Sequence, residues 1–360
     1  MCPHFPLGRE DVMKPKSLSR IISLIFFLIP ITVFSSEWTQ VFETTEPMIL
    51  SSIWGSSAAD IFAVGDVGYL HPALIFHYDG TTWSPMDSGT TTSWALRDIW
   101  GSSETDVFTV GSSGIILHYD GSQWTPMDSG VQTQNVDLLG IWGSSSRDIY
   151  SVGALNIYLE IHFSVFTIPI LPVARHYNGK RWSHIKNWIK GFYVLTGIWG
   201  SSKNDIFTVG YTLVYGNKDI VILHYDGEQW SSMEHPTIIA GYYGYGGIWG
   251  ASGSDVFTVG ASGAILHYDG ERWTQMDSGT TTDLSAIWGS SPTNVFAVGG
   301  EEILRYDGMK WSLMTRLGTG TSLSRVWGSS ETDIYAVGFD FIHQQGIILH
   351  YDGMDGGGKE

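Results

Sequence analysis

Cysteine is all but missing from this chain: Cys2 is the only one in 360 residues. A lone cysteine excludes an internal disulfide framework and every zinc site built on thiolate pairs. Charge is scarce too, at 15% against about a quarter in ordinary globular chains. It is also one-sided, with 19 basic residues against 36 acidic ones and a net charge of −17. No basic cluster stands in the body of the sequence, so the electrostatic footprint of a nucleic-acid binder is absent and DNA or RNA is excluded as the main partner. Long apolar runs are lacking as well. The longest, residues 21–34 (IISLIFFLIPITVF), has 14 residues, short of the roughly 20 of an ordinary membrane helix. The 43% of hydrophobic residues still supplies a large core and excludes a disordered acidic polymer.

Lys14, Lys16 and Arg20 precede that run, and Ser35 and Ser36 follow it. This is the layout of a secretory signal, with Val33 and Ser35 as the small residues before a cut. Residues 1–35 are read as signal peptide, with Met13 as an alternative start because Glu10 and Asp11 are foreign to such a segment. The expected location is secreted or periplasmic, with no membrane span left after cleavage. The mature product is cysteine-free, with 15 basic and 34 acidic residues. Residues 354–360 (MDGGGKE) read as a flexible tail.

What the chain does hold is a repeat, the first thing to look for in such a composition. Ile53-Trp54-Gly55-Ser56-Ser57 recurs around Trp100, Trp142, Trp199, Trp249, Trp288 and Trp327. A second segment, His-Tyr-Asp-Gly-x-x-Trp, places Trp83, Trp124, Trp182, Trp230, Trp273 and Trp311. With Trp38, 14 of the 16 tryptophans are repeat positions, leaving Trp94 and Trp188. Each copy has four short β-branched and aromatic runs bounded by Gly, Ser and Asp, without a helical period. They are labelled a (ending at Ile-Trp), b (Asp-Val-Phe-x-Val), c (Ile-Leu-His-Tyr) and d (Trp-x-x-Met). Four such strands per unit make a propeller blade.

The chain starts, after its leader, with an isolated d strand at 37–42 and ends at Gly353 without one. The predicted fold is therefore all-β: a seven-bladed β-propeller over residues 36–353, with four-stranded antiparallel blades and the N-terminal d strand completing the last. Such closure removes two free sheet edges. The a–b and c–d turns, on one face, have constant length. The b–c and d–a connections, on the other, do not: Gly111 to His118 is seven residues but Gly153 to His176 is 23. Variable loops on a rigid scaffold are where binding resides.

On that variable face, Trp94, Trp188, Phe192 and Tyr193, with Tyr242, Tyr243 and Tyr245 of a tyrosine-rich loop, place rings near the channel mouth. They suit sugars, aromatic ligands or a partner's side chains. The insert Ala154–Arg175 reads as an extended apolar hairpin, a surface for a partner or for self-association. Two residues before the strand a tryptophan stand Ser52, Gly140, Gly197, Gly247 and Ala286, but also Asp98 and Arg325. This charged pair near the channel either meets a ligand, with Arg97 beside it, or bridges across blade 1. The histidines of strand c (His77, His118, His176, His224, His267, His350) are one per blade and cannot share a metal. In blade 6, Arg305 replaces the histidine and Asn294 the aspartate that opens strand b. The paired change predicts a structural contact between the two positions. The Asp-Gly of each c–d turn reads as a hairpin turn. Phosphate-loop, nucleophile-elbow and zinc spacings do not occur, so no cofactor or metal is expected.

The units Trp100-Gly101-Ser102-Ser103 to Gly111 and His118-Tyr119-Asp120-Gly121 to Trp124 resemble the propeller repeats of secreted bacterial proteins. They are distantly similar to the photosystem II assembly-factor type and to Asp-box propellers, over residues 37–353. The His, Asp and Trp of each blade are also similar to the structural hydrogen-bond network of WD-repeat propellers. Sialidases of the Asp-box architecture use an arginine triad, whereas Arg97, Arg175, Arg316 and Arg325 are scattered here. The resulting expectation is a secreted, non-enzymatic binding or scaffold protein that presents its variable face to a protein or glycan. The alternative is a carbohydrate-active hydrolase or lyase at the channel mouth, using Asp98 and Arg325.

Overall fold

In each repeat unit, runs of β-branched and aromatic residues alternate with Gly-, Ser- and Asp-rich turns, and the unit folds into a four-stranded antiparallel sheet. The computed structural model describes residues 38–66, 73–91, 95–131, 133, 135–161, 164–185, 188–212, 218–237, 239–240 and 246–353, with the backbone alone at 157–161, 164–170, 218, 239 and 240. The expected signal peptide and C-terminal tail lie outside these residues. Seven sheets form. Their a strands are Ile49–Ser57, Leu96–Ser103, Val136–Ser145, Tyr193–Ser202, Ile248–Ser252, Ala286–Ser291 and Thr321–Ser330. Each lies against the next, and the seventh lies against the first, so the ring is closed. The chain is a seven-bladed β-propeller. Among the described residues no helix is long and apolar enough to cross a membrane.

The core is divided into seven clusters, one between each pair of neighbouring blades. Between blades 1 and 2, for example, Phe62, Val64 and Ile75 meet Leu96, Ile99, Leu117 and Trp124. The Trp-Gly pair sets how closely blades approach. The Trp54 ring covers Gly101 of the next blade, and a Cβ placed there would lie 2.5 Å from it. The same step recurs as Trp100 on Gly143, Trp142 on Gly200, Trp199 on Gly250, Trp249 on Gly289, Trp288 on Gly328 and Trp327 on Gly55, at 2.5–2.7 Å throughout. No larger residue fits beneath these rings. The d-strand tryptophans pack on their own blade's tyrosine, as Trp124 on Tyr119 at 5.3 Å with the rings tilted by 33°.

Within the blades, the histidine–aspartate contact expected from the paired change of blade 6 is present. His77, His118, His176, His224, His267 and His350 each hydrogen-bond through Nε2 to the aspartate that opens strand b, at 2.6–2.8 Å. A carboxylate only accepts, so the histidine donates from Nε2. In blades 1, 2, 3, 4 and 7 the serine after Trp-Gly donates to the other oxygen, as Ser56 to Asp60 at 2.6 Å and Ser102 to Asp106 at 2.5 Å; blade 5 has Ala251 there. In blade 6, Arg305 Nε donates to Asn294 Oδ1 at 2.8 Å. Its guanidinium also lies 5.6 Å over Phe296, in the place of the imidazole that stacks on Phe108 at 4.3 Å in blade 2. Both functions of the histidine survive the substitution. At Asp333, burial pushes the carboxyl up, but hydrogen bonds from His350 and Ser329 outweigh it and the net shift is down.

The c–d turns are Asp-Gly hairpins in which the glycine takes a positive φ, as Gly121 at +91°. Asp120 accepts from the Ser122 hydroxyl and from two backbone N–H groups. These bonds hold its carboxyl down at about 2. Asn178 fills the same role in blade 3. The insert Ala154–Arg175 extends strands b and c of blade 3, Asp148–Ile161 and Ser164–Tyr177, into one hairpin paired from Ile149↔Tyr177 to Ile161↔Ser164.

The closing strand is Thr39–Glu43, antiparallel to Gln345–Tyr351 with Thr39 opposite His350 and Glu43 opposite Ile347. Trp38 stacks on Tyr351 at 5.7 Å and meets Phe296 of blade 6 edge-on at 6.5 Å. Removing residues 38–43 uncovers a strand edge and empties the seats of Trp38 and Phe42. A loss of roughly 5 kcal/mol is expected, or about 10–20 °C in Tm. A thermal melt that does not move contradicts the closure.

Candidate functional site

Two groups of variable-face residues stand out, and they lie at different radii of the ring. The inner group is built on the a strands. Arg325 of blade 7 donates through Nε to Ser52 Oγ of blade 1 at 3.2 Å and through Nη2 to Asp98 Oδ1 of blade 2. Ser52 Oγ donates to the same Asp98 oxygen at 2.7 Å. The other oxygen accepts from Ile141 N–H of blade 3 at 3.0 Å. One network therefore ties four consecutive blades and straddles the interface at which the chain closes on itself. The charged pair bridges across blade 1, one of the two arrangements expected for it. In the other blades the equivalent positions are Gly140, Gly197, Gly247 and Ala286, so the network has no counterpart on the far side of the ring.

The Asp98 carboxylate is largely buried, at 12% side-chain exposure, and Arg325 is at 21%. Three protein donors hold this carboxylate in place, two on Oδ1 and one on Oδ2. Arg97 lies 3.5 Å from Asp66, and Arg316 is paired with Glu302, which also accepts from Thr280. Three of the four arginines of this face are thus engaged by separate acids rather than gathered into a triad. The fourth, Arg175, stands where other blades have leucine or phenylalanine (Phe76, Leu117, Leu223, Leu266, Leu304, Leu349), and burial pushes its pKa down.

The outer group lies at the base of the blade 3 hairpin. Leu171 and Pro172 of strand c form one wall of a groove of about 1070 Å³, and Ser183 and His184 of strand d with Ile185 and residues 188–192 of the connection after it form the other. Trp188 and Phe192 line it, with Ile185 and Ile189. Phe192 is 64% exposed and Leu171 41%. Trp188 packs on Trp230 at 4.6 Å. Tyr193, expected among the loop aromatics, instead opens strand a of blade 4 and is buried in the interface with blade 3. Its hydroxyl donates to the Ile189 carbonyl, and burial pushes its pKa up to about 12. Trp94, Tyr242, Tyr243 and Tyr245 lie outside the described residues. Leu171 and Pro172 belong to the insert that the sequence marked as a partner surface, whereas sequence reasoning missed Ile185 and Ile189, whose position against the insert no spacing rule gives.

No family model matches the chain, and no curated protein sequence does. Solved propellers do share its fold. YCF48 bound to D1 peptide aligns over 88% of this chain and 95% of its own at 13% identity, with a TM-score of 0.62. YCF48 from Cyanidioschyzon merolae covers 87% of this chain and 98% of its own at 12% identity, with a TM-score of 0.61. The WD40 β-propeller domain of Doa1 covers 87% and 97% at 11% identity, also with a TM-score of 0.61. At these identities the likeness is one of fold, in line with the distant similarity to assembly-factor and WD-repeat propellers.

Arg325→Met leaves the Asp98 carboxylate buried without its cation and costs roughly 3 kcal/mol or more. Adding Asp98→Asn removes the stranded charge, keeps an amide oxygen as acceptor for Ile141 N–H, and returns most of that loss. Urea denaturation of the parent, both single variants and the double variant measures the coupling. Losses that simply add contradict the bridge.

Proposed function

We propose that this chain is an exported, non-enzymatic scaffold that holds a peptide segment of a protein partner on its variable-loop face. The observation that carries the reading is the outer groove, a preformed apolar cleft between the blade 3 hairpin and the loop that follows it. Its walls are formed by Leu171, Pro172, Ile185, Trp188, Ile189 and Phe192, with Ser183, His184 and Lys190 as the polar lining. Apolar peptide side chains entering such a cleft gain about 25 cal/mol per Å² of surface removed from water. A glycan needs a denser set of hydrogen-bonding groups than the described residues of this lining offer, which favours a protein. A fold neighbour, YCF48, is known with a D1 peptide bound. That supports a peptide-holding role for a ring of this geometry. Export rests on the leader at residues 1–35, and a mature chain without cysteine suits an oxidising compartment.

Peptides selected from a random display library on the full chain are expected to be rich in apolar residues. Their affinity is expected to fall at least tenfold in Phe192→Asp or Leu171→Asp, both exposed positions. Met309→Asp, 85% exposed on the opposite face, is expected to change nothing. Selected peptides that bind equally well to Phe192→Asp and Leu171→Asp contradict the assignment, as does saturable binding or turnover of a glycan that both variants abolish.

A further inference from the structure

The face of constant turns, opposite the variable loops, breaks its repeat at one blade. Each blade presents two short turns there, side by side. The c–d glycine packs on the residue before the strand b aspartate, as Gly80 on Ala59, Gly121 on Thr105 and Gly179 on Arg147. In six blades the exposed acids of this pair of turns equal or outnumber the bases. Blade 3 is inverted. Arg147, Lys180 and Arg181 are all exposed, and Asn178 stands where the other blades have aspartate. Its two turns contain no acid. Across the boundary with blade 4, Lys203 lines a groove of about 640 Å³ with Ser144, Ser145, Ser201 and Ser202. Among the described residues, none of these four basic side chains enters an ion pair. The basic residues come from three turns separated in sequence, which is why no run of them is visible in the chain.

We infer that this corner is a second docking site, one for an acidic peptide segment of a partner protein. Charge complementarity selects the ligand. Elsewhere the turns of this face carry ten exposed acids and two exposed bases, on a chain of net charge −17. A broad polyanion, such as an anionic bilayer, meets those acids as soon as it meets the patch. A single extended chain a few residues wide meets the patch alone. Guanidinium forks pair with carboxylates in two-bonded geometry, and the groove serines add donors beside them. Exposed ion pairs are individually weak. Affinity therefore builds from several carboxylates at once and declines with salt, since screening acts within about 10 Å at 0.1 M.

The test uses the full chain and a fluorescein-labelled dodecapeptide with six Asp or Glu residues, read by anisotropy. Saturable binding is expected at 50 mM salt, weakened at least tenfold at 500 mM and at least tenfold by Lys180→Glu with Arg181→Glu. Lys310→Glu and Arg272→Glu, at the position equivalent to Arg181 in blades 6 and 5, are expected to change it less than twofold. All these side chains are exposed, and thermal melts check that the variants fold as the parent does. Absence of binding at low salt overturns the proposal. So do equal losses in the control variants, which mean diffuse attraction without a site. Binding to phosphatidylserine vesicles that is tighter than to the peptide and is lost in the same double variant replaces the peptide by a membrane. Phe192→Asp leaves this binding unchanged, so the outcome is separate from that of the variable-face groove.

Discussion

The contact on which the ring depends is a tryptophan lying on a glycine of the next blade, made seven times. A four-stranded blade is apolar on both faces and cannot stand alone, so its stability comes from the two interfaces that it forms. Those interfaces close into a circle only if each repeats the same spacing and angle. An indole ring is large and rigid enough to set that spacing, and a residue without a side chain is the only kind that admits it at 2.5–2.7 Å. The composition follows from this one step, since half of the repeat tryptophans are the ring of the contact and the glycine after each is the seat of the preceding blade's ring. The step from Trp327 to Gly55 joins the last blade to the first. Closure therefore rests on the same packing as every other interface, with Trp38 and Thr39–Glu43 completing the outer part of blade 7.

A second, polar device acts inside the blades. In five of them the histidine of strand c, the aspartate of strand b and the serine after Trp-Gly form one chain of hydrogen bonds that fixes the a–b turn against strand c, and blade 5, with Ala251 in place of the serine, keeps the histidine–aspartate bond. Blade 6 shows what the device requires. Arg305 and Asn294 change both partners and keep a donor, an acceptor and a flat cation stacked on Phe296. The turns at this end are thereby held to constant length and constant shape. Loops at the other end carry no such constraint and have lengthened, most of all in blade 3.

The fold was legible because its information is repeated. Blade number, strand order, the closing strand and the histidine–aspartate contact could each be read by comparing copies with one another. The sites were less legible for the same reason, since they lie where copies differ and nothing in the chain remains to compare them with. Asp98 and Arg325 were visible as exceptions to a column of small residues, but that Ser52 and Ile141 N–H complete their network depends on a blade-to-blade register that spacing does not encode. Tyr193 illustrates the opposite failure. It reads as one more loop aromatic, yet strand a of blade 4 starts two residues before Leu195 of its motif and buries the ring. The basic corner was invisible because Arg147, Lys180 and Lys203 belong to three turns that only the fold sets side by side, with Gly179 on Arg147 and Lys203 across a groove from Ser144 and Ser145.

The two faces thus differ in kind: an apolar groove among lengthened loops on one, and a charge-inverted corner among constant turns on the other. Both depend on a ring whose blades do not shift. The account is tested most directly at one Trp-Gly step, by urea denaturation of Gly143→Ala in the parent chain and in a Trp100→Leu background. In the parent, the added methyl meets the Trp100 ring at 2.6 Å and is expected to cost about 2 kcal/mol or more. With Trp100 truncated, the same substitution is expected to cost less than about 0.5 kcal/mol, a strong coupling between the two positions. Equal losses in the two backgrounds would contradict the claim that the tryptophan–glycine contact sets the spacing of the ring.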